Sequence, residues 1–359
     1  MWRRLLIGGA TSIRSADDRT SLARKVCAFV LRRDAVGPRL LVFSFASHPT
    51  LPRRVPGGTL AELESPLAGV QREVLEETGL GDLIVTRKLG VQRYYKPFIG
   101  SDVERHDYLL RAPESASSSF THRVSGSGDD AGELFEYGWI SREEMRSVDE
   151  EFRRYLTPQY LPEFFPSSCD DVRELDEGDA ERVTIVEYDH SWPRRFDDQR
   201  TLLKEVFGDD VRVEHIGSTA VPGLGAKPIL DIMIGVSALA EAEARVGQLA
   251  WLGYEYAPES EREVPQRRYF QQRIDGRRVS HLHCVVQGSE GWRRGIAFRD
   301  ALRSDPATAG EYLALKKSLA ARHGTDRVGY AAAKGPFIES VLHLWHAQNV
   351  AGTDGKKKQ

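Results

Sequence analysis

The sequence predicts a protein of α/β and α+β class, built as two domains on a chain of 359 residues. Three observations carry this. The length exceeds what one hydrophobic core ordinarily organises. Residues 22–149 place Val-, Leu- and Phe-rich strand segments around one strongly patterned helix, the mark of a mixed sheet with packed helices. Residues 181–348 start a second strand and helix succession after a proline-punctuated, acid-rich joint at 150–180.

The elements follow in order. KVCAFVLRR (25–33) and PRLLVFSFA (38–46) read as strands joined by a DAVG turn into a hairpin. A helix is predicted over 66–78, and VTRKLGVQRYY (85–95) and VERHDYLLRAP (103–113) return as strands. SASSSFTHRVSGSGDDAG (115–132) reads as a long Ser/Gly-rich loop, a length usually kept for function. ELFEYGWIS (133–141) is a strand and REEMRSV opens a helix. In the joint, Tyr160 and Phe164–Phe165 are expected to dock on a domain, with 167–180 as exposed linker. RVTIVEYDHSWPRRF (182–196) reads as a strand running into a helix at 193–207, and 211–236 as strand, glycine turn, strand. Residues 238–254 repeat Leu239, Ala242, Val246, Leu249 and Ala250 at helical spacing. Strands follow at 267–274 and 280–288, and the remainder to about Ala347 is mostly helical.

Composition sets bounds on function. The net charge of -3 gives no general support for nucleic-acid binding. Cys27, Cys169 and Cys284 are odd in number and far apart, so reduced thiols in a cytoplasmic protein are expected. The apolar run Leu5–Ile7 is too short for a signal or a membrane span, and no stretch approaches 18 apolar residues. The tail AGTDGKKKQ is polar and expected to be unstructured.

The most informative stretch is GTLAELESPLAGVQREVLEETGL (58–80). Ser65 suits the N-cap and Pro66 the first helical position, where a missing N–H is harmless. Leu67, Val70 and Val74 share one face for burial. Glu73, Glu76 and Glu77 cluster on another at i, i+3, i+4 spacing, with Arg72 beside them. Gly79 fits the left-handed residue that ends the helix, and Leu80 then folds back onto the apolar face. Three clustered carboxylates repel unless positive charge stands among them. A divalent cation, Mg2+ or Mn2+, awaiting a phosphate-bearing substrate is the simplest counter-charge.

Gly58, Glu64, Arg72, Glu73, Glu76, Glu77 and Gly79, with aliphatic Val74 and Leu80, make this stretch resemble the Nudix box of the Nudix hydrolases. The resemblance implies an α/β/α sandwich with a mixed sheet. It also implies that Glu76 and Glu77 are principal metal ligands, that Glu73 is a third ligand assisting the attacking water, and that the Gly57 carbonyl is a main-chain ligand. Glu64 and Arg72 then hold the loop to the helix. Ala61 and Leu63 stand where many relatives carry Glu and Gly, a departure confined to the loop. The implied reaction is Mg2+-dependent cleavage of the diphosphate bond of a nucleoside diphosphate linked to another moiety. A further acid outside the box is expected; Glu133, after the long loop, is favoured over Asp129, Asp130 and Asp107. Arg93 and His106 are candidate substrate contacts, with Tyr94, Tyr95, His122 and Arg123 nearby in sequence.

In the second block, EHIGSTAVPGL, AKPILDI, HLHCVV, FRDALR and EYLALKKSLA (all within 183–346) resemble the GrpB family. That resemblance implies a nucleotidyltransferase-like sheet with surrounding helices. Gly217–Ser218 reads as a tight turn able to cradle phosphate. Asp231 is a candidate metal or substrate contact, but its usual carboxylate partner two residues on is replaced by Met233, a poor ligand for Mg2+. His281 and His283 alternate along a strand and face one side. Together with His215 they could bind a transition metal, bind phosphate or form a polar pocket. Lys227, Arg299, Lys316 and Lys334 could bring positive charge, Tyr269 could line the cleft, and Asp300 and Arg303 read as a salt bridge on a helix. The expected whole is a hydrolase of small-molecule nucleoside diphosphate derivatives with a C-terminal phosphate- or nucleotide-recognition domain. The alternative is a bifunctional enzyme whose second domain transfers a nucleotidyl or phosphoryl group.

Overall fold

The computed structural model describes residues 22–96, 99–126, 130–165, 183–262, 264–274 and 277–354. The expectations for residues 1–20, the linker 167–180, Cys169, Asp129 and the C-terminal lysines lie outside these residues.

The first sheet is mixed and six-stranded, in the order β3-β4-β1-β2-β6-β5. Its strands are β1 (Ala23–Arg33), β2 (Pro38–Phe45), β3 (Ile84–Lys96), β4 (Ser101–Arg111), β5 (Ser119–Arg123) and β6 (Leu134–Ile140). β1 runs antiparallel to β2, as a hairpin must, and parallel to β4, with Cys27 opposite Asp107. Alternation along β1 sends Val26, Ala28 and Val30 to one face and Cys27, Phe29 and Leu31 to the other. The first face is covered by α1 (Pro66–Thr78) through Leu67, Val70 and Val74. Ser65 caps α1 by accepting from Ala68 N–H at 3.2 Å, and Gly79 ends it at φ 72°.

In the first domain, three local readings differ from the sequence. Residues 119–123, inside the segment read as a loop, form edge strand β5 against β6, where Phe120 stacks on Tyr137 at 4.8 Å. The Ser-rich flanks hid its short alternation. The segment after β6 makes short 3-10 turns (Arg142–Ser147, Glu150–Tyr155, Pro162–Phe164) in place of a longer helix. The start of the joint, read as linker, belongs to the first core: Phe152, Tyr155, Leu156, Leu161 and Phe164 are buried against Phe29, Leu31 and Leu40, and Tyr160 and Phe165 pack on them, the docking expected of these aromatic groups. They close the sheet face that α1 leaves open, which explains why so many aromatic groups sit among prolines.

The second sheet has the order β7-β8-β11-β10-β9. It comprises β7 (Arg212–Ile216), β8 (Leu230–Val236), β9 (Tyr254–Tyr256), β10 (Arg267–Ile274) and β11 (Arg277–Val286), with β8 parallel to β11. The strand expected near 182–188 reduces to a single bridge between Val186 and Ala226, ahead of α2 (Trp192–Phe207). The helix expected over 238–254 breaks into α3 (Leu239–Glu243) and α4 (Val246–Ala250), with Arg245 between them donating to the Val206 and Glu241 carbonyls. Helices α5 (Glu290–Ser304), α6 (Pro306–His323), α7 (Arg327–Ala333) and α8 (Gly335–Asp354) complete the domain. None of the described helices is long and apolar enough to cross a membrane.

The two sheets share one apolar cluster. α2 buries Phe196, Leu202, Leu203, Val206 and Phe207, and the cluster they join extends to both Val26 and Ile232. Polar links fix the register of the junction: Gln199 Nε2 donates to Thr86 O at 3.0 Å, and Val85 N–H to Trp251 O at 2.8 Å.

Candidate functional site

The carboxylate helix meets the β1 side of the first sheet at Gly57–Gly58. Gly57 has φ +155°, and a side chain there would strike the Val26 carbonyl; one at Gly58 would strike the Glu73 carboxylate. The backbone therefore passes where only glycine fits, which lets Gly57 N–H donate to Glu77 Oε2 at 2.8 Å. Glu77 is only 4 % exposed, and burial lifts its carboxyl well above the usual range despite that bond. Burial also raises Glu73, against the pull of Arg72. Arg72 is the hub of the remaining acids. It bonds Glu64 at 2.9 and 2.8 Å, Glu73 at 3.0 Å, Glu76 at 3.1 Å and Thr59 O at 3.2 Å. One guanidinium thus serves three carboxylates, while the fourth, Glu77, is buried and, among the described residues, hydrogen-bonded to the Gly57 amide.

The β5–β6 connection is fastened to the C-terminal end of α1. Ser125 N–H and its hydroxyl donate to Glu76 O at 3.0 and 3.1 Å, His122 Nε2 lies 3.1 Å from the same carbonyl, and Tyr137 donates to Glu77 O at 3.1 Å. A side chain at Gly126 would come within 2.7 Å of Glu76 Oε2. The Ser125–Gly126 part of the segment read as a loop therefore stands beside Glu76.

The acids proposed outside the helix separate. Asp107 is fully buried; it accepts from Arg105 Nε at 2.8 Å and Gln92 Nε2 at 3.1 Å, and burial pushes it to about 6. Its neighbourhood is an internal ion pair. Glu133 accepts a long bond from Ser47 at 3.4 Å. Asp130 is the outlying acid whose charge adds to the burial effect on Glu77, with Arg54 opposing it. Arg93 and His106 both turn to Glu104, at 2.6 and 3.0 Å, which ties these two candidate contacts to β4. Glu151, absent from the sequence reading, collects Tyr94 at 2.6 Å, Lys96 at 2.9 Å, Arg105 at 3.3 Å and Arg54 at 3.4 Å. Burial opposes its charge, and these donors overcome it and hold the carboxyl at about 2. Its place in the acid-rich joint gave no signal, because its partners come from distant strands.

In the second domain, parallel pairing sets His281 opposite Asp231 and His283 opposite Met233. His281 Nδ1 lies 3.0 Å and His283 Nε2 3.8 Å from Asp231 Oδ1. Burial opposes the Asp231 charge, yet the two imidazoles hold its carboxyl well below the usual range. Gly217, at φ +69°, lies over the same carboxylate, and a side chain there would collide with Oδ2. Ser218 follows in a 3-10 turn, beside the Tyr312 hydroxyl. Lys227 and Lys334 both face the Tyr330 ring, at 4.2 and 4.6 Å. Asp231 lies within electrostatic reach of Lys227, Lys316 and Lys334, and Lys316 Nζ donates to Gly225 O. Burial and the neighbouring Lys334 lower Lys227 to about 8 and Lys316 to about 7.

Two other expected members point elsewhere. His215 pairs with Ile232 on the opposite face, stacks on Phe196 at 4.7 Å and meets Thr219 at 2.9 Å, so it does not join the other histidines. Arg299 bonds Glu214 and Asp300, each at 2.7 Å, outside the lysine group. Asp300 thus pairs with Arg299 rather than Arg303, which donates to Ala220 O and braces the turn after Ser218. Met233 is 2 % exposed and packs with Val285 and Trp292.

These features define a two-domain protein with a carboxylate-bearing helix beside one mixed sheet and a His–Asp group with neighbouring lysines on the other. It belongs to the GrpB family through its C-terminal half and carries a NUDIX domain in its N-terminal half: the GrpB protein family model matches residues 182–344 and the NUDIX domain model residues 22–160. Glutamate-rich protein GrpB of Alkalihalophilus pseudofirmus is 32% identical over 166 residues, covering 45% of this chain and 94% of that protein. UPF0157 protein YqkA of Bacillus subtilis is 37% identical over 161 residues, covering 45% of this chain and 46% of YqkA, so the chain spans about half of that relative's length. Among solved structures, a NUDIX hydrolase from Nitrosomonas europaea is similar with 20% identity and a TM-score of 0.29, covering 40% of this chain and 89% of that one.

Proposed function

We propose that the N-terminal domain hydrolyses the diphosphate bond of a nucleoside diphosphate linked to another moiety, and that the C-terminal domain recognises a phosphate-bearing ligand. The observation that carries the first part is Glu77: a carboxylate buried on one backbone N–H beside Glu73 is stable as an anion only with a cation at hand. The donor set fits Mg2+, or Mn2+, because it is all oxygen: the Gly57 carbonyl and the Glu73, Glu76 and Glu77 carboxylates. When bound, the ion neutralises the diphosphate and lowers the pKa of water.

The chain's own residues do the rest. Glu73, raised by burial, takes the proton of the attacking water. The water oxygen forms a bond to one phosphorus, and the bridging oxygen leaves with the second phosphate, giving two monophosphate products or a monophosphate and phosphate. Arg72 keeps Glu64, Glu73 and Glu76 in place. The Ser125–Gly126 segment closes the site beside Glu76. The test is chromatographic detection of monophosphate products formed by the full chain with Mg2+ or Mn2+, across nucleotides, dinucleoside polyphosphates, NADH, ADP-ribose, nucleotide sugars and coenzyme A. Metal-dependent turnover of at least one compound, lost in Glu77→Gln, is expected; no turnover of any rejects the reading.

The second domain favours recognition over transfer because Met233 occupies the second carboxylate's place and is packed into the core. Incorporation of labelled nucleotide, lost on Asp231→Asn, would reverse that and support a bifunctional enzyme.

A further inference from the structure

We propose that Asp231, His281 and His283 form a binding site for a divalent transition metal, separate from the carboxylate helix and independent of its activity. The strand pairing builds the site. Asp231 and His281 are direct neighbours in the β8–β11 ladder, and His283, two residues on, returns to the same face. One ligand atom from each residue lies within 4.8 Å of the others. A metal with bonds of about 2.0–2.2 Å to nitrogen and oxygen holds its ligand atoms some 3–3.5 Å apart, so the set needs only a modest contraction.

Three further features support it. Gly217 leaves room over Asp231 Oδ2 where any other residue would fill the space. The Tyr269 ring packs against both imidazoles, at 5.6 and 5.2 Å, and limits their rotation. Met233 changes the chemistry of the donor set. A carboxylate at this position would add a second oxygen ligand and move the set toward Mg2+; Met233, packed into the core, adds none. With two imidazoles from the adjacent strand the set offers two nitrogens and one oxygen, which suits zinc, iron, cobalt or nickel.

The surrounding cations shape what the metal carries. Lys227, Lys316 and Lys334 stand in the field of Asp231 and reduce its affinity for a bare cation. They favour a metal whose open positions take a phosphate oxygen, so metal and phosphate should each tighten the other's binding. Arg267 Nη1 lies 3.2 Å from His283 Nδ1. Ligation through Nε2 moves the imidazole proton to Nδ1, so Arg267 must turn aside. Removing that cation should therefore strengthen binding.

The experiment uses the tag-free full chain carrying Glu76→Gln and Glu77→Gln, which disables the first domain's ligand set. Co2+ is titrated alone and with ADP or inorganic phosphate, followed by visible absorption and calorimetry. One equivalent of Co2+ with the ligand-field bands of a nitrogen-ligated site is expected, displaced by Zn2+ and not by Mg2+. His281→Ala and His283→Gln should each weaken binding at least about 100-fold, and Arg267→Met should tighten it several-fold. Circular dichroism confirms that each variant is folded. Absence of nitrogen-ligated Co2+ while all three residues are intact would overturn the proposal whatever the variants do. Binding that survives both histidine substitutions in folded protein would overturn it equally. Phosphate binding with no metal would show that the cleft is only a polar anion pocket.

Discussion

Tyr108, on the first sheet, donates its hydroxyl to Glu205 Oε2, on the first helix of the second domain, at 2.6 Å. The other carboxylate oxygen takes Lys88 Nζ at 2.6 Å. Tyr108 is fully buried, so this contact adds a buried, charge-assisted bond to the Gln199–Thr86 and Val85–Trp251 links across the junction. Glu205→Ala should leave the phenol without an acceptor and Lys88 without a counter-ion, at about 1–3 kcal/mol. Thermal and urea unfolding of the full chain should show that loss, with Tyr108→Phe milder. Stability unchanged in Glu205→Ala would mean that the two domains do not depend on this junction.

Glu77 couples catalysis to instability. Glu76→Gln and Glu77→Gln should each lower kcat more than about 100-fold, because a lost metal ligand costs several kcal/mol in the transition state. Glu77→Gln should also raise the melting temperature in EDTA, since a neutral amide replaces a buried anion, and abolish the shift that Mg2+ gives the native chain. Activity within fivefold of native in both variants would sink the assignment.

The order of the outlying acids can be tested directly. The sequence placed Glu133 first; the field of Asp130 on Glu77 places Asp130→Asn above Glu133→Gln in loss of kcat. Asp107→Ala should act on stability instead, because it strips the buried Arg105 Nε of its acceptor, at about 3 kcal/mol. Rates per folded molecule at saturating metal decide the ranking, and an equal or reversed order of Asp130→Asn and Glu133→Gln rejects it.

Binding in the second domain should depend on pH. An anion needs charged lysines, and burial has lowered Lys316 to about 7 and Lys227 to about 8. Affinity for ADP should therefore fall as pH rises through about 7–8, where phosphate itself, with a second pKa near about 6, no longer changes charge. The free chain shows the converse sign: the unfolded state holds these protons up to about 10.4, so both groups make stability rise with pH between their folded and unfolded values. Calorimetry at three pH values tests the first statement; an affinity flat with pH removes the lysines from the site.

At the glycine turn, Ser218→Ala should weaken that affinity modestly. Gly217→Val should abolish it, because it places a side chain against Asp231 at a positive φ. Binding by Gly217→Val equal to native would show that the ligand sits elsewhere.

The carboxylate helix was legible in the sequence because everything that defines it is local. Its cap, its first proline, its final glycine and the spacing of Glu73, Glu76 and Glu77 all fall within one short stretch, and helical periodicity alone puts the acids together. The Asp231–His281 pairing was half legible: alternation set both histidines on one face, but only the β8–β11 register brought that face to Asp231. His215 shows the limit, since its side of β7 depends on pairing with β8, and that pairing turned it to Phe196. Which sheet face the 150–165 segment covers, the Glu151 cluster and the placing of Lys227, Lys316 and Lys334 in the field of Asp231 were decided by tertiary structure alone. Each joins residues far apart in the chain through burial and charge, and those forces act on distance in space, which no local pattern encodes.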